Sequence, residues 1–119
     1  MKKKEKREMN SECKLRLQAV QDVVDLFAGK WKIYILNELK SGPKHFMELQ
    51  RNVDGIGAKM LSSELKSLET NELVKRTEFS TKPVTVEYAI TDYGKTLEHL
   101  IEEVETWGAR HRQRMFKSN

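Results

Sequence analysis

The segment from Gly57 to Thr91 constrains the fold most, because one amphipathic helix pattern is followed at once by two short strand patterns. The helix is predicted over Ala58–Asn71, where three leucines recur at helical spacing and share one face: Leu61, Leu65 and Leu68. Alternating residues then predict strands over Leu73–Phe79 and Val84–Ile90, separated by a Ser-Thr-Lys-Pro turn. The segment therefore predicts a helix packed against a β-hairpin.

The rest of the chain is predicted to be mostly helical, with glycine and proline marking the breaks. The elements predicted outside the first segment are helix Glu12–Phe27, helix Trp31–Lys40, the extended residues Lys44–Phe46, helix Phe46–Asn52 and a long helix Asp92–Lys117. The long helix would reach roughly 35–40 Å, which exceeds what a domain of this size can cover with its own surface. This order predicts an α+β, mostly helical fold: a winged helix-turn-helix with N- and C-terminal helices that serve dimerisation.

Length and charge predict a single domain with a mild preference for polyanions. The 119 residues suit one compact domain, and 38% hydrophobic with 34% charged residues predicts a soluble protein. The net charge is +4, and basic residues are concentrated at both ends, in residues 1–7 and 110–117. We predict a basic, flexible arm over residues 1–11 and a winged-helix domain over residues 12–119.

The sequence lacks the patterns that direct a chain to a membrane or out of the cell. Charged residues interrupt the apolar stretch that a signal peptide would need after the basic N-terminus. No apolar run approaches the roughly 20 residues of a membrane span. The single cysteine excludes an internal disulfide and favours a reducing compartment. We therefore expect a cytoplasmic protein without a membrane partner.

Short motifs follow one another in a fixed order from Cys13 to Trp107, over nearly the whole chain. They are Cys13 and Gly29-Lys30-Trp31; Ile35-Leu36, Leu39 and Gly42; Phe46 and Glu48-Leu49; Ile56 and Lys59-Met60-Leu61; Leu65 and Leu68-Glu69; Leu73-Val74 and Arg76; Pro83, Val86-Glu87-Tyr88, Thr91 and Gly94; and Trp107. This ordered set resembles the HxlR-type regulators of bacteria. The resemblance implies a winged helix-turn-helix transcription regulator that binds double-stranded DNA. Repression is the default expectation, because an occupied promoter can exclude the polymerase, but activation remains open. The sequence does not identify an effector.

Three positions depart from the pattern of that family. Lys14 follows the cysteine where the family often has proline, and Gly57 stands where a serine usually caps the recognition helix. Glu72 stands where the family usually has glycine, at the turn into the first wing strand. We expect Asn71, which tolerates left-handed backbone geometry, to take over that turn.

The polar face of the Ala58–Asn71 helix carries the first candidates for DNA contact. A helix of this length spans about 21 Å, which is enough to lie across a major groove. The candidates are Lys59, Ser62 and Ser63 for base edges, Lys44, His45 and Lys66 for phosphates, and Arg76, Thr81, Lys82 and Thr85 for wing contacts. Two alternatives remain: the lysines only solvate an exposed face, or the domain binds a protein partner and not DNA.

The last predicted helix carries an apolar stripe that extends beyond the reach of the winged core. Its members are Leu97, Leu100, Ile101, Val104 and Trp107. Packing against a twofold mate would bury the stripe and place two recognition helices on a pseudo-palindromic operator with half-sites about 34 Å apart. Val20, Val24 and Phe27 of the first helix would join this homodimer interface. In the alternative, the last helix folds back and covers its own domain.

Cys13 is the residue with reactive potential. It lies near a predicted helix start, where the helix dipole favours anions, and Lys14 and Arg16 flank it. Both influences favour the thiolate form. The resemblance implies a possible redox sensor that responds to oxidants or electrophiles, and the alternative is a small apolar residue near the dimer seam.

The sequence does not indicate an enzyme. Gly55-Ile56-Gly57 lacks both the preceding strand and the following glycine of a nucleotide-binding loop. The three histidines, His45, His99 and His111, are dispersed and do not show the spacing of metal ligands. We predict no catalytic residue, no cofactor and no metal site.

Overall fold

We describe residues 10–117 of a computed structural model, whose chain divides into two units, residues 1–30 and 31–119. The first unit contains helix α1 (Ser11–Leu26). The second contains α2 (Trp31–Leu39), β1 (Lys44–His45), α3 (Phe46–Asn52), α4 (Ala58–Thr70), β2 (Val74–Phe79), β3 (Thr85–Ile90), α5 (Asp92–Lys95) and α6 (Leu97–Phe116). The fold is α+β and mostly helical, and the predicted order of elements is confirmed except in the last helix.

Helix α1 begins one residue earlier than predicted. The side chain of Asn10 accepts a 2.7 Å hydrogen bond from the backbone N–H of Cys13 and so caps the helix. The helix ends at Leu26, and Phe27 is its C-cap. Of the predicted basic arm, residues 1–9 lie outside the described residues, whereas Asn10 and Ser11 belong to the start of α1.

The core of the second unit lies where the apolar faces of α2, α3 and α4 meet the sheet. Its buried side chains are Ile35, Leu36, Leu39, Leu49, Val53, Ile56, Leu61, Leu65, Leu68, Leu73, Val74 and Tyr88. The three leucines of α4 are at most 1% exposed. Burial of each such side chain stabilises the fold by roughly 1.5–3 kcal/mol, so α4 is firmly anchored by one face.

The sheet has three antiparallel strands in the order β1-β3-β2. Strands β2 and β3 pair along their whole length, and the short β1 pairs with the middle of β3. Tyr88 of β3 is buried between both neighbours, where Lys44 and Arg76 are its cross-strand partners. Val84, which was predicted to begin this strand, lies before it and is 61% exposed. The β2–β3 hairpin is the wing of the predicted fold.

The turn from α4 into β2 shows that the expectation for Asn71 is wrong. Glu72 adopts the left-handed conformation, with φ of 62°, whereas Asn71 has φ of −87°. The N–H of Glu72 donates to the carbonyl of Glu69 (2.8 Å), and the N–H of Leu73 donates to that of Leu68 (2.9 Å). These bonds form a Schellman motif, which fixes the left-handed residue one position after the cap. Glu72 therefore carries backbone strain that glycine would avoid.

Replacing Glu72 with glycine is expected to stabilise the protein. A left-handed conformation costs an ordinary residue roughly 1–2 kcal/mol, and the greater freedom of unfolded glycine offsets part of the gain. We expect Glu72→Gly to raise the free energy of unfolding by about 0.5–1 kcal/mol in thermal melts. The control Glu69→Gly, inside the regular helix, should lower it by about 1 kcal/mol. A melting temperature for Glu72→Gly at or below that of the wild type would contradict the expectation.

The predicted single helix Asp92–Lys117 is wrong, because the chain breaks at Thr96 into α5 and α6. The hydroxyl and the N–H of Thr96 both donate to the carbonyl of Tyr93, at 2.6 and 3.0 Å, and tighten the turn. The uninterrupted helix α6 has 20 residues and spans about 30 Å, less than predicted. Among residues 10–117, no helix is both long and apolar enough to cross a membrane.

Candidate nucleic-acid interface

The face of α4 opposite its buried leucines is a polar surface. It consists of the exposed side chains Lys59, Ser62, Ser63 and Lys66, which we call the α4 polar face. In the described part of the chain, neither lysine ammonium is engaged in an ion pair or hydrogen bond. Gly57 is the N-cap and supplies no side-chain acceptor, so the first N–H groups of α4 can donate to a phosphate.

One carboxylate at the edge of this face is neutralised from within the fold. The ammonium of Lys32 in α2 lies 2.6 Å from the carboxylate of Glu64 in α4. The two side chains are only 11% and 16% exposed. The pair therefore joins α2 to α4 and removes a negative charge beside the α4 polar face.

The phosphate candidates Lys44 and His45 already have partners at the sheet edge. The ammonium of Lys44 donates to the hydroxyl of Ser41 at 2.7 Å. Nδ1 of His45 lies 2.9 Å from the carbonyl oxygen of Val86, which can only accept, so Nδ1 carries the proton. In the neutral ring Nε2 then presents a lone pair, and a phosphate contact would need the protonated form. His45 primarily joins β1 to β3.

The wing candidates form two groups. At the hairpin turn, the hydroxyl of Thr81 donates to the carbonyl of Pro83 at 2.7 Å and lies 3.1 Å from the hydroxyl of Thr85. Lys82, which lies between Thr81 and Thr85 in the sequence, is exposed. On β2, Nη1 of Arg76 lies 3.1 Å from the carboxylate of Glu78. Two hydrogen bonds raise the pKa of the Arg76 guanidinium: the larger effect comes from Tyr88 and the smaller from Glu78. Arg76 is thus held against the sheet.

A surface cleft between α4 and the hairpin brings part of the predicted set together. Its lining residues are Ser62, Leu65, Lys66, Glu69, Thr70, Arg76 and Tyr88. The cleft therefore unites Ser62 and Lys66 of the α4 polar face with Arg76 of the wing. The other candidates, at β1 and at the hairpin turn, do not line it.

Two ion pairs were not predicted from the sequence. Glu78 follows Arg76 by two residues on a strand, so the two side chains share a face, and this signal was present in the sequence. Lys32 and Glu64 are separated by 32 residues on different helices. Their pairing depends on how α2 and α4 pack, and no local pattern predicts it.

The apolar stripe of α6 divides into a partly covered and an exposed portion. Leu97 and Ile101 line a narrow pocket together with Leu36 and Ile90 of the same unit. Further along the helix, exposure reaches 56% at Val104 and 65% at Trp107, and Leu100 is also exposed. The idea that α6 covers its own domain therefore applies to its beginning and not to its later turns.

The predicted residues of α1 range from half-buried to exposed. Val20 and Val24 are exposed, Phe27 is half-buried and Cys13 is partly exposed. Nη1 of Arg16 lies 3.6 Å from the carboxylate of Glu12, which offsets its positive charge near Cys13.

An HxlR-like helix-turn-helix family model matches residues 26–116, which include the whole helix-turn-helix and wing. The chain belongs to the HxlR family. The HTH-type transcriptional regulator YdzF of Bacillus subtilis is 41% identical over 101 residues, covering 84% of this chain and 93% of that protein. The reduced form of the redox regulator HypR superposes with a TM-score of 0.76 at 31% identity, covering 84% of this chain and 99% of HypR. Reduced YodB from B. subtilis gives a TM-score of 0.70 at 30% identity, covering 89% of this chain and 94% of YodB.

Membership of the HxlR family defines the general activity. The chain is a DNA-binding transcriptional regulator with a winged helix-turn-helix, and it is not an enzyme. The family and fold predicted from the ordered motifs are confirmed. In residues 10–117, no group of three His, Cys, Asp or Glu side chains is arranged to hold a metal ion.

Proposed function

We propose that this HxlR-family regulator acts in the cytoplasm as a homodimeric repressor on a pseudo-palindromic operator. The observation that carries the proposal is the α4 polar face, which is exposed while the leucines behind it are buried. Such a helix can enter a major groove without losing its own anchorage. Repression follows as the default because an occupied promoter excludes the polymerase.

In this proposal the contacts divide into base readout and backbone positioning. Lys59, Ser62 and Ser63 face base edges, where each good contact contributes about 1–3 kcal/mol of discrimination. Backbone contacts fix the position of the domain on the duplex, and they come from Lys44, His45 in its protonated form, Lys66, Arg76, Thr81, Lys82 and Thr85. The cleft that joins Lys66 to Arg76 supports a shared phosphate contact between helix and wing.

Selection of bound sequences from a random duplex pool tests the proposal. We expect enrichment of a pseudo-palindrome whose half-sites lie about one helical turn, roughly 34 Å, apart. Enrichment of a single asymmetric site would contradict a dimeric operator but would still support specific DNA binding. A pool that stays random would remove specific operator binding.

A homodimer is proposed because large apolar side chains remain exposed on single helices. The exposed part of the α6 stripe is Leu100, Val104 and Trp107, with Leu97 and Ile101 at its covered end. In α1 the proposed dimer residues are Val20, Val24 and Phe27. Contiguous apolar surface of this kind marks interaction sites, and a twofold mate would cover it.

Placing a charge in the α6 stripe is expected to dissociate the dimer. Val104→Asp would bury a carboxylate in the apolar seam, which costs several kcal/mol without a partner. We expect sedimentation at micromolar concentration to change from a dimer to a 13.9 kDa monomer. Glu102→Ala, on the opposite side of α6, should leave the dimer unchanged. A 13.9 kDa species for the wild type would contradict the homodimer.

The ion pair on the wing is expected to limit DNA affinity. Glu78→Gln removes a carboxylate beside the cleft and releases Arg76 for a phosphate, so we expect affinity to rise about threefold. Glu103→Gln, which removes the same charge from an α6 residue near His99, should leave affinity unchanged. Equal gains in both variants would assign the effect to net charge alone.

We also propose that Cys13 responds to oxidants or electrophiles. HypR is described as a redox regulator, and YodB was also studied after diamide treatment. Cys13 is the single cysteine of the chain, so a disulfide at Cys13 would be intersubunit or mixed, and a sulfenic acid or an adduct would form without a second cysteine. A normal cellular response in Cys13→Ser regulators would remove this proposal.

A further inference from the structure

The Lys32–Glu64 ion pair connects α2 with the centre of α4, the helix that carries the α4 polar face. Its 2.6 Å separation and the low exposure of both side chains, 11% and 16%, distinguish it from the Glu12–Arg16 and Arg76–Glu78 pairs. Glu12 and Arg16, for comparison, are 3.6 Å apart and 79% and 68% exposed. The Lys32–Glu64 contact is therefore short, directional and largely shielded from water.

Stability alone does not account for such a pair. Transferring two charges out of water costs about as much as their attraction returns, so apolar residues of similar size are often equally stable at such positions. Removing only one partner is different, because the remaining charge is left without compensation. The expected net contribution of the Lys32–Glu64 pair to stability is therefore small, and a role in fixing the position of α4 is a hypothesis that can be tested.

The apolar contacts anchor α4, but a small rotation about its axis would still change where its polar side chains lie. The leucines Leu61, Leu65 and Leu68 bury α4, but burial of apolar surface is non-directional. Side-chain tips lie about 6 Å from the helix axis, so a rotation of α4 by about 20° would move them by about 2 Å. That displacement exceeds the few tenths of an ångström over which a hydrogen bond to a base remains good. A directional contact at Glu64 can prevent it.

We infer that Lys32 and Glu64 are positioning residues that set the rotation of α4 and thereby the sequence discrimination of the regulator. This inference rests on the proposed readout of bases by Lys59, Ser62 and Ser63. Glu64 directly follows Ser63 in α4. Holding its carboxylate therefore restrains the rotation of the helix, and with it the direction of the side chains that face the bases. Lys32 does not touch DNA in this arrangement and acts through Glu64.

The test compares affinity for the selected operator with affinity for a scrambled duplex of equal length and composition. The variant Lys32→Met/Glu64→Met keeps the net charge, so affinity for the scrambled duplex should stay within about twofold of the wild type. Its melting temperature should stay within about 3 °C, whereas Glu64→Gln alone should melt about 5–10 °C lower. The ratio of the two affinities should fall about tenfold in the double variant.

Matched controls separate positioning from general effects. Lys32→Arg, which preserves the ion pair, should keep the ratio within about twofold, and Glu12→Gln/Arg16→Gln should leave it unchanged. A wild-type ratio in a folded Lys32→Met/Glu64→Met variant overturns the inference. If that variant does not fold, Glu64→Gln decides the same question below its melting temperature, and a wild-type ratio again overturns it. A wild type without any preference would instead overturn the proposed readout.

Discussion

Lys66→Glu is expected to weaken operator binding about 100-fold or more, and Lys59→Glu should have an effect of similar size. Each change removes a cation and places a carboxylate against the phosphates, and a dimer would experience the change twice. Each lysine contact contributes on the order of 1–1.5 kcal/mol, and reversal adds repulsion, which together give roughly 3 kcal/mol. Gel shifts with the selected operator measure the effect.

The fold of these variants should remain intact. Both lysines are exposed, Lys59 in the first turn of α4 and Lys66 further along it, and lysine and glutamate have similar helix propensities. Lys95→Glu, at an exposed position of α5, makes the same change of charge away from the α4 polar face. We expect wild-type circular dichroism in all three variants and nearly wild-type binding only for Lys95→Glu. An unchanged gel shift for Lys66→Glu would remove its assignment to the interface.

Gly94→Ala is expected to lower the free energy of unfolding by about 3 kcal/mol, the upper range for overpacking. A Cβ at this position would overlap the carbonyl oxygen of Leu73 and approach Cγ2 of Ile90 to 3.0 Å. The Leu73 carbonyl is held in place because it accepts a 3.1 Å hydrogen bond from the N–H of Thr91. The extra methyl group therefore meets backbone that cannot move without breaking this bond.

Thermal unfolding distinguishes this close approach from a general effect of glycine replacement. We expect Gly94→Ala to melt more than about 10 °C below the wild type. Gly57→Ser is the control, because no atom lies within 4 Å of an added Cβ there and serine is a good N-cap. It should melt at the wild-type temperature or slightly above. Wild-type stability of Gly94→Ala would contradict the close approach of α5 to the Leu73 carbonyl and Ile90.

The sequence predicts the features that depend on local periodicity. The helix predicted over Ala58–Asn71 agrees with the observed α4 except for one residue at its end. The agreement is close because the leucine spacing and the flanking turns are local signals. The left-handed residue was misplaced for a different reason. Asn71 has the better intrinsic tendency, but the Schellman bonds of the turn place the demand on Glu72. At this turn the backbone hydrogen bonds, and not the conformational preference of asparagine, decide which residue is left-handed.

Other features depend on hydrogen bonds that apolar spacing does not indicate, some of them local and others set by tertiary packing. The break at Thr96 requires its hydroxyl to compete for the carbonyl of Tyr93, although the apolar spacing continues through it. His45 appeared to be a free phosphate ligand until the strand pairing placed it against Val86. For the candidate site, the α4 polar face follows from periodicity, whereas the partners of His45, Arg76 and Glu64 follow from the fold.

The dependence of operator affinity on salt tests the contact between the α4 polar face and DNA most directly. In a plot of the logarithm of affinity against that of salt concentration, each phosphate contact contributes about −0.9 to the slope. If Lys66 binds a phosphate in both subunits, Lys66→Gln should make the slope less steep by about two. Identical slopes for the wild type and Lys66→Gln would show that this face of α4 does not meet the DNA backbone.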